Sequence, residues 1–221
     1  MRVSHRPSVL HLAFCCLAVY LWVALGLFWL KSALITMIVY HLVLCGGGWL
    51  LLRPRRPLRF NITQGGVAAF ALVGGFALTW LAMEYAIPLL PPQALPDVAT
   101  GPLDELGLNA RNYLPIAVYF GLVNPLAEEA LWRGRVLPIL AGARSVAPNL
   151  TQSLVFAGFH VMPLALMFSQ IWLPAIVVFI GGFVFGLVAL RTRGLLVPWA
   201  LHAGANAYLL IWFGRFIGAG S

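Results

Sequence analysis

Residues 171–190 read IWLPAIVVFIGGFVFGLVAL, without one charged side chain. As a helix this stretch is about 30 Å long, the thickness of a bilayer's hydrocarbon core. Working outward from it, further apolar runs of comparable length cover roughly 9–30, 33–52, 65–87, 112–132, 150–168 and 195–214. The expected fold is therefore all-α, a polytopic transmembrane bundle of about seven helices. Composition agrees. The chain has 221 residues, is 62% hydrophobic and 9% charged, and has a mean hydropathy of +0.92. A soluble domain carries about 25% charged residues, so a soluble enzyme is excluded. Disorder is excluded as well, because disordered chains are poor in apolar residues.

The formal net charge is +8. The arginines lie between apolar runs, where they read as topology signals and not as a nucleic-acid surface. Arg2, Arg6, Arg53, Arg55, Arg56, Arg59, Arg133, Arg135, Arg144, Arg191 and Arg193 all fall on one side of an alternating seven-helix path. Lys31, Arg111, Arg215 and the acidic loop with Asp97, Asp104 and Glu105 fall on the other. The positive-inside rule then puts the amino terminus in the cytosol and the carboxyl terminus outside. Met1–Ser8 resembles the start of a signal peptide, but the apolar run after it is too long and no small-residue cleavage site follows, so a retained first helix is expected. The sequons at Asn61 and Asn149 fall on the cytosolic side and are discounted. Cys15, Cys16 and Cys45 make no disulfide framework and no CxxC site.

Ionisable residues inside a membrane are costly and are functional suspects by default. His41 stands alone in the second run and is expected to be neutral, satisfied by one neighbour. Glu84, near the outer end of the third run beside Tyr85, suits an interfacial role. Glu128 and Glu129 close the fourth run in NPLAEEALWRGR. Glu129 precedes Arg133 by four residues, the favourable order for a helical ion pair, which turns Glu128 to another face. Pro125 just before them removes a backbone hydrogen bond and favours a kink. His160 in FAGFH shares a face with Phe156, and His202 in HAGAN shares one with Asn206. Measured from the cytosolic end, His202 lies roughly 12 Å deep and His160 roughly 15 Å at helical rise. One acidic pair, two imidazoles and a carboxamide can thus meet in the cytosolic half of the bilayer.

A carboxylate and a neutral imidazole can share a water that attacks a carbonyl, while a second imidazole and an Asn amide donate to the oxyanion. Such a set hydrolyses amides or esters without a serine or cysteine. Two histidines and a glutamate could instead hold zinc with an open position for water, although HExxH is absent. A rival from another class is a non-catalytic immunity factor or scaffold whose polar cluster binds a peptide partner. A transporter would need polar residues through both leaflets, and the outer half offers little beyond Glu84.

The three motifs Glu128-Glu129-Ala-Leu-Trp-Arg133, Phe156-Ala-Gly-Phe-His160 and His202-Ala-Gly-Ala-Asn206 resemble, in spacing and order, the EExxxR, FxxxH and HxxxN motifs of the CPBP family of CAAX-type proteases and bacteriocin-processing (Abi) enzymes. The flanking FGLVALRTRGLLVPWALHAGAN also resembles that family's closing segment. The resemblance implies a single integral membrane domain over 1–221. Its catalytic core lies at 112–214, preceded in 1–111 by three helices and an external loop without family motifs. It implies an intramembrane endopeptidase that cuts near the carboxyl end or leader of a membrane-associated protein or peptide, lipidated or not. Prenylated CAAX proteins, peptide leaders and carboxyl-terminal sorting tails are all candidate substrates. The implied roles are Glu128 with His160 as the water-activating pair and His202 with Asn206 on the oxyanion side, supported by Glu129 and Arg133. A glutamic mechanism without a cofactor is favoured over a zinc-dependent one, because Asn206 suits an oxyanion donor better than a zinc ligand.

Overall fold

The side chains that ought to be inside a soluble protein are outside in this one. In the computed structural model, Phe70, Leu10 and Leu114 are more than two-thirds exposed, whereas Glu128, Glu129, Arg133, Asn149 and Gln152 are buried. That inversion is what a bundle immersed in lipid requires: apolar side chains face acyl chains, and polar ones face each other. The structure describes residues 9–52, 58–91, 100–141 and 146–217. Arg2, Arg6, Arg53, Arg55, Arg56, Arg144 and Asp97 lie outside the described residues.

Helices account for the architecture, with no strand among the described residues. Helix α1 (Val9–Ala24) runs on through a wide π-type turn, Leu25–Trp29. Lys31, in the left-handed conformation at φ 47°, reverses the chain. Ser32 then caps α2 (Ala33–Val39) by accepting from the Ile35 N–H at 3.3 Å. A π segment, Tyr40–Cys45, joins α2 to α3 (Gly46–Leu51). Next come α4 (Gly65–Leu81), the short α5 (Thr100–Glu105) and α6 (Tyr113–Glu128). A second long π segment, Glu129–Val136, leads from α6 to α7 (Leu137–Ala141). The chain closes with α8 (Val146–Met167), α9 (Trp172–Thr192) and α10 (Leu196–Ile217).

Among the described residues, six helical runs are long and apolar enough to cross a membrane: Leu10–Trp29, Ala33–Leu51, Ile62–Leu89, Val146–Met167, Trp172–Thr192 and Leu196–Ile217. They coincide with six of the seven runs read from the sequence. The fourth run, 112–132, is helical too, but Glu128 and Glu129 interrupt its apolar character, and the helix continues past it through Arg133 and Arg135. It is the helix that carries the acids, and the bundle shelters it.

Packing between α4 and α10 is backbone against backbone. A Cβ on Gly204 would collide with the Leu72 carbonyl oxygen, and one on Gly75 with that of Leu201. Helices without a hydrophobic force between them associate through small residues that permit this approach. Because Gly204 lies between His202 and Asn206, the seam also fixes the depth and rotation of that pair. Gly204→Val should destabilise the protein by at least ~1–3 kcal/mol and lower its melting temperature in detergent. Gly74→Val is the control, since a Cβ there meets nothing within 4 Å. Equal melting of the two variants would contradict this account of the seam.

Connections at each end of the bundle bring like regions together. The Leu195 N–H donates to the Arg59 carbonyl at 3.0 Å, and Gln64 donates to the Thr192 carbonyl at 2.7 Å. These bonds tie the Arg59 segment to the Arg191–Arg193 turn. At the opposite end Lys31 pairs with Glu105 at 3.1 Å. Arg215 pairs with Glu84 at 2.6 Å, and Tyr208 donates to the same carboxylate. Asn149, within a sequon, is fully buried and donates to the Phe183 carbonyl at 2.9 Å, so it offers no acceptor for a glycan.

Candidate active site

Pro125 sits inside α6, and the helix beyond Glu128 widens into π turns. Such local widening is frequent at functional sites because it re-aims side chains that regular α geometry would splay apart. Glu129 and Arg133, both fully buried, form the ion pair expected from their spacing, at 2.9 Å. Arg133 also donates to the Gly182 carbonyl of α9 at 2.9 Å and lies 4.5 Å above the Phe156 ring. Phe156 is therefore more than packing: it covers one face of the guanidinium while its carbonyl serves His160.

Glu128 is the point on which the helices converge. His160 Nε2 stands 3.8 Å from its Oε1, and His202 Nε2 stands 3.8 Å from its Oε2. His202 Nδ1 lies 3.1 Å from the Glu129 carboxylate that Arg133 holds. The acidic doublet, Arg133 and both histidines thus gather from α6 and its π extension, α8 and α10. Asn206, one turn along α10 from His202, is buried and donates to the Phe120 carbonyl of α6 at 3.3 Å. One of its two amide hydrogens is used in that bond, which leaves the other available.

Hydrogen-bond direction fixes the tautomers. His160 Nδ1 lies 2.8 Å from the Phe156 carbonyl, which can only accept, so Nδ1 carries the proton. His202 Nδ1 likewise carries the proton it donates to Glu129. In their neutral forms both rings then turn an Nε2 lone pair toward Glu128. Two acceptors cannot bond each other directly, but a water donating one hydrogen to each can span such a gap. Aromatic rings wall the pocket: Phe159 sits against His160 with centroids 4.1 Å apart, and Phe185 stacks on His202 at 4.5 Å. The His160 side chain remains 19% exposed and is the open edge of the cluster. Among the described residues, no group of three or more His, Cys, Asp or Glu is arranged to hold a metal ion.

Sequence reasoning missed Tyr40 and misjudged the isolation of His41. Tyr40 donates to Glu128 Oε1 at 3.3 Å and accepts from Trp132 Nε1 at 3.0 Å. His41 has two partners where one was expected, Tyr119 at 2.8 Å and Asn124 at 2.7 Å. The signal that could have raised them was the pair itself, a tyrosine and a histidine side by side in an otherwise apolar run.

Residues 110–208 match the family model described as type II CAAX prenyl endopeptidase Rce1-like. No curated protein and no solved structure matches the chain. The matched stretch holds Glu128, Glu129, Arg133, His160, His202 and Asn206, the residues of all three sequence motifs, and over it the chain is similar to CAAX-type intramembrane proteases.

Proposed function

We propose that Glu128 is the general base of a metal-free intramembrane endopeptidase that acts on the carboxyl-terminal region of a membrane-associated substrate. The observation that carries this reading is the buried carboxylate facing the Nε2 atoms of His160 and His202 at 3.8 Å each. A water donating to Glu128 and to His160 has its oxygen lone pair free. As that oxygen attacks the scissile carbonyl, its proton passes to Glu128. His202, with Nδ1–H held by Glu129, takes a proton from solvent at Nε2, presents that Nε2–H to the oxyanion, and returns the proton to solvent when the products leave. The Glu129 carboxylate is the counter-charge of the resulting imidazolium. The free amide hydrogen of Asn206 completes the oxyanion site. Collapse breaks the carbon–nitrogen bond, and the proton on Glu128 moves to the leaving amine. With the arginine-rich ends cytosolic, the pocket lies in the cytosolic half of the bilayer.

A zinc-dependent version has one observation in its favour, the two Nε2 lone pairs directed at one carboxylate. Its ligands would be Glu128, His160 and His202. Tetrahedral zinc with bonds of about 2.0–2.1 Å holds its ligand atoms roughly 3.3 Å apart, closer than the two 3.8 Å separations seen. The residues as placed therefore suit water better.

The test is cleavage of a farnesylated CAAX peptide by the purified full-length protein, with products identified by mass. The expected result is release of the residues beyond the prenylated cysteine at a rate indifferent to a strong chelator. Loss of activity on chelation, restored by zinc, would replace the metal-free mechanism.

A further inference from the structure

A tyrosine outside the three motifs reaches Glu128 from the amino-terminal half of the chain. Tyr40 opens the π segment Tyr40–Cys45, and its hydroxyl lies 3.3 Å from Glu128 Oε1. The direction of that bond is fixed. Trp132 Nε1 can only donate and lies 3.0 Å from the same hydroxyl oxygen, so the Tyr40 proton is turned toward the carboxylate. Tyr40 is 4% exposed and Trp132 fully buried, so water does not compete for either bond. His160 faces the same oxygen, with Nε2 3.8 Å from Oε1, while His202 faces Oε2 at 3.8 Å. Neither histidine contact is short enough to be a hydrogen bond, and Oε2 has no hydrogen-bond partner among the described residues. The terminal torsion of a glutamate is broad and roughly twofold, so by itself it selects no orientation. The bond from Tyr40 does: with Oε1 held at the corner between Tyr40 and His160, Oε2 is left to His202. The Phe159 ring lies 5.4 Å from that of Tyr40, stacks on Trp132 at 5.7 Å and packs against His160 at 4.1 Å. One aromatic frame therefore seats both the tyrosine that orients the carboxylate and the histidine beside it.

We propose that Tyr40 is a positioning residue for hydrolysis: its hydroxyl, fixed by Trp132, holds Glu128 Oε1 beside His160 and leaves Oε2 facing His202. This inference rests on Glu128 being the base. A carboxylate oxygen has two lone pairs, so Oε1 can accept from Tyr40 and from a water shared with His160 at once. Tyr40 touches no reacting atom in this scheme; it sets the rotation of the group that does. It also gives the motif-free amino-terminal half a part in the reaction.

The experiment uses purified full-length protein and an internally quenched farnesylated CAAX peptide. Tyr40→Phe keeps the ring in its aromatic frame and removes only the hydroxyl. It should lower kcat about 10–100-fold, the worth of one hydrogen bond to a charged group, with KM within about twofold. Tyr40→p-aminophenylalanine restores a donor at the same place and should recover most of that loss. Wild-type kcat in Tyr40→Phe would overturn the proposal, and so would an amino variant as slow as the Phe variant. Infrared spectra supply a readout that needs no substrate. The Glu128 carboxyl band, identified by its absence in Glu128→Gln, should move in Tyr40→Phe; an unmoved band would also overturn the proposal. Glu128→Gln is assayed alongside. If it stays active, the assignment of the base fails; if it is dead while Tyr40→Phe turns over normally, only the positioning role fails. A wild-type protein that leaves the peptide intact while the band moves would count against the CAAX reading and support the orienting bond.

Discussion

Glu128→Gln is expected to abolish peptide cleavage while the protein still inserts and melts as the wild type does. The amide has the size of the carboxylate and can still accept from Tyr40, which donates to Glu128 at 3.3 Å. What it loses is the capacity to take a proton from water. General-base catalysis contributes about 10²–10⁴-fold, and that range is the expected fall in kcat. His160→Ala should act in the same direction through loss of the second acceptor for the water. Wild-type turnover by a folded Glu128→Gln variant would remove this residue from the reaction.

Arg133→Leu should damage the fold itself. Arg133 and Glu129 are fully buried and 2.9 Å apart. Removal of one partner strands the other as an uncompensated charge, at a cost of about 3–5 kcal/mol in comparable buried pairs. The guanidinium also leaves its place over Phe156 and its bond to the Gly182 carbonyl. Pairing Arg133→Leu with Glu129→Leu takes away both charges, and such replacements are often neutral for stability. The double variant should therefore recover much of the melting temperature but little activity, because His202 no longer has a carboxylate on Nδ1 at 3.1 Å. A double variant as unstable as the single would show that packing, not charge pairing, dominates at this point. Equal and full activity in both would remove Glu129 and Arg133 from the site.

What the sequence disclosed follows a physical boundary. Contacts within one helix were legible, because a spacing of four residues places two side chains on one face: Glu129 with Arg133, and Phe156 with His160. Six of the apolar runs were legible for a similar reason, since length and hydropathy suffice to mark a span. Contacts between helices were not. A membrane helix is apolar almost all round, so its pattern does not say which face turns inward. The Tyr40–Glu128 and His41–Asn124 bonds join residues 88 and 83 positions apart. They depend on the rotation of two helices and on a π segment that no residue type announces. The fourth run shows the same limit from the other side. Its charges reveal chemistry, and they also keep it from reading as an ordinary span.

The glycine seam between α4 and α10 has a mechanical consequence. Two rods whose peptide groups already touch have no slack to part or to slide, so this flank acts as the keel of the molecule. Any give that the cluster needs must therefore come from helices other than this pair, and the partly exposed His160 belongs to α8, outside the seam.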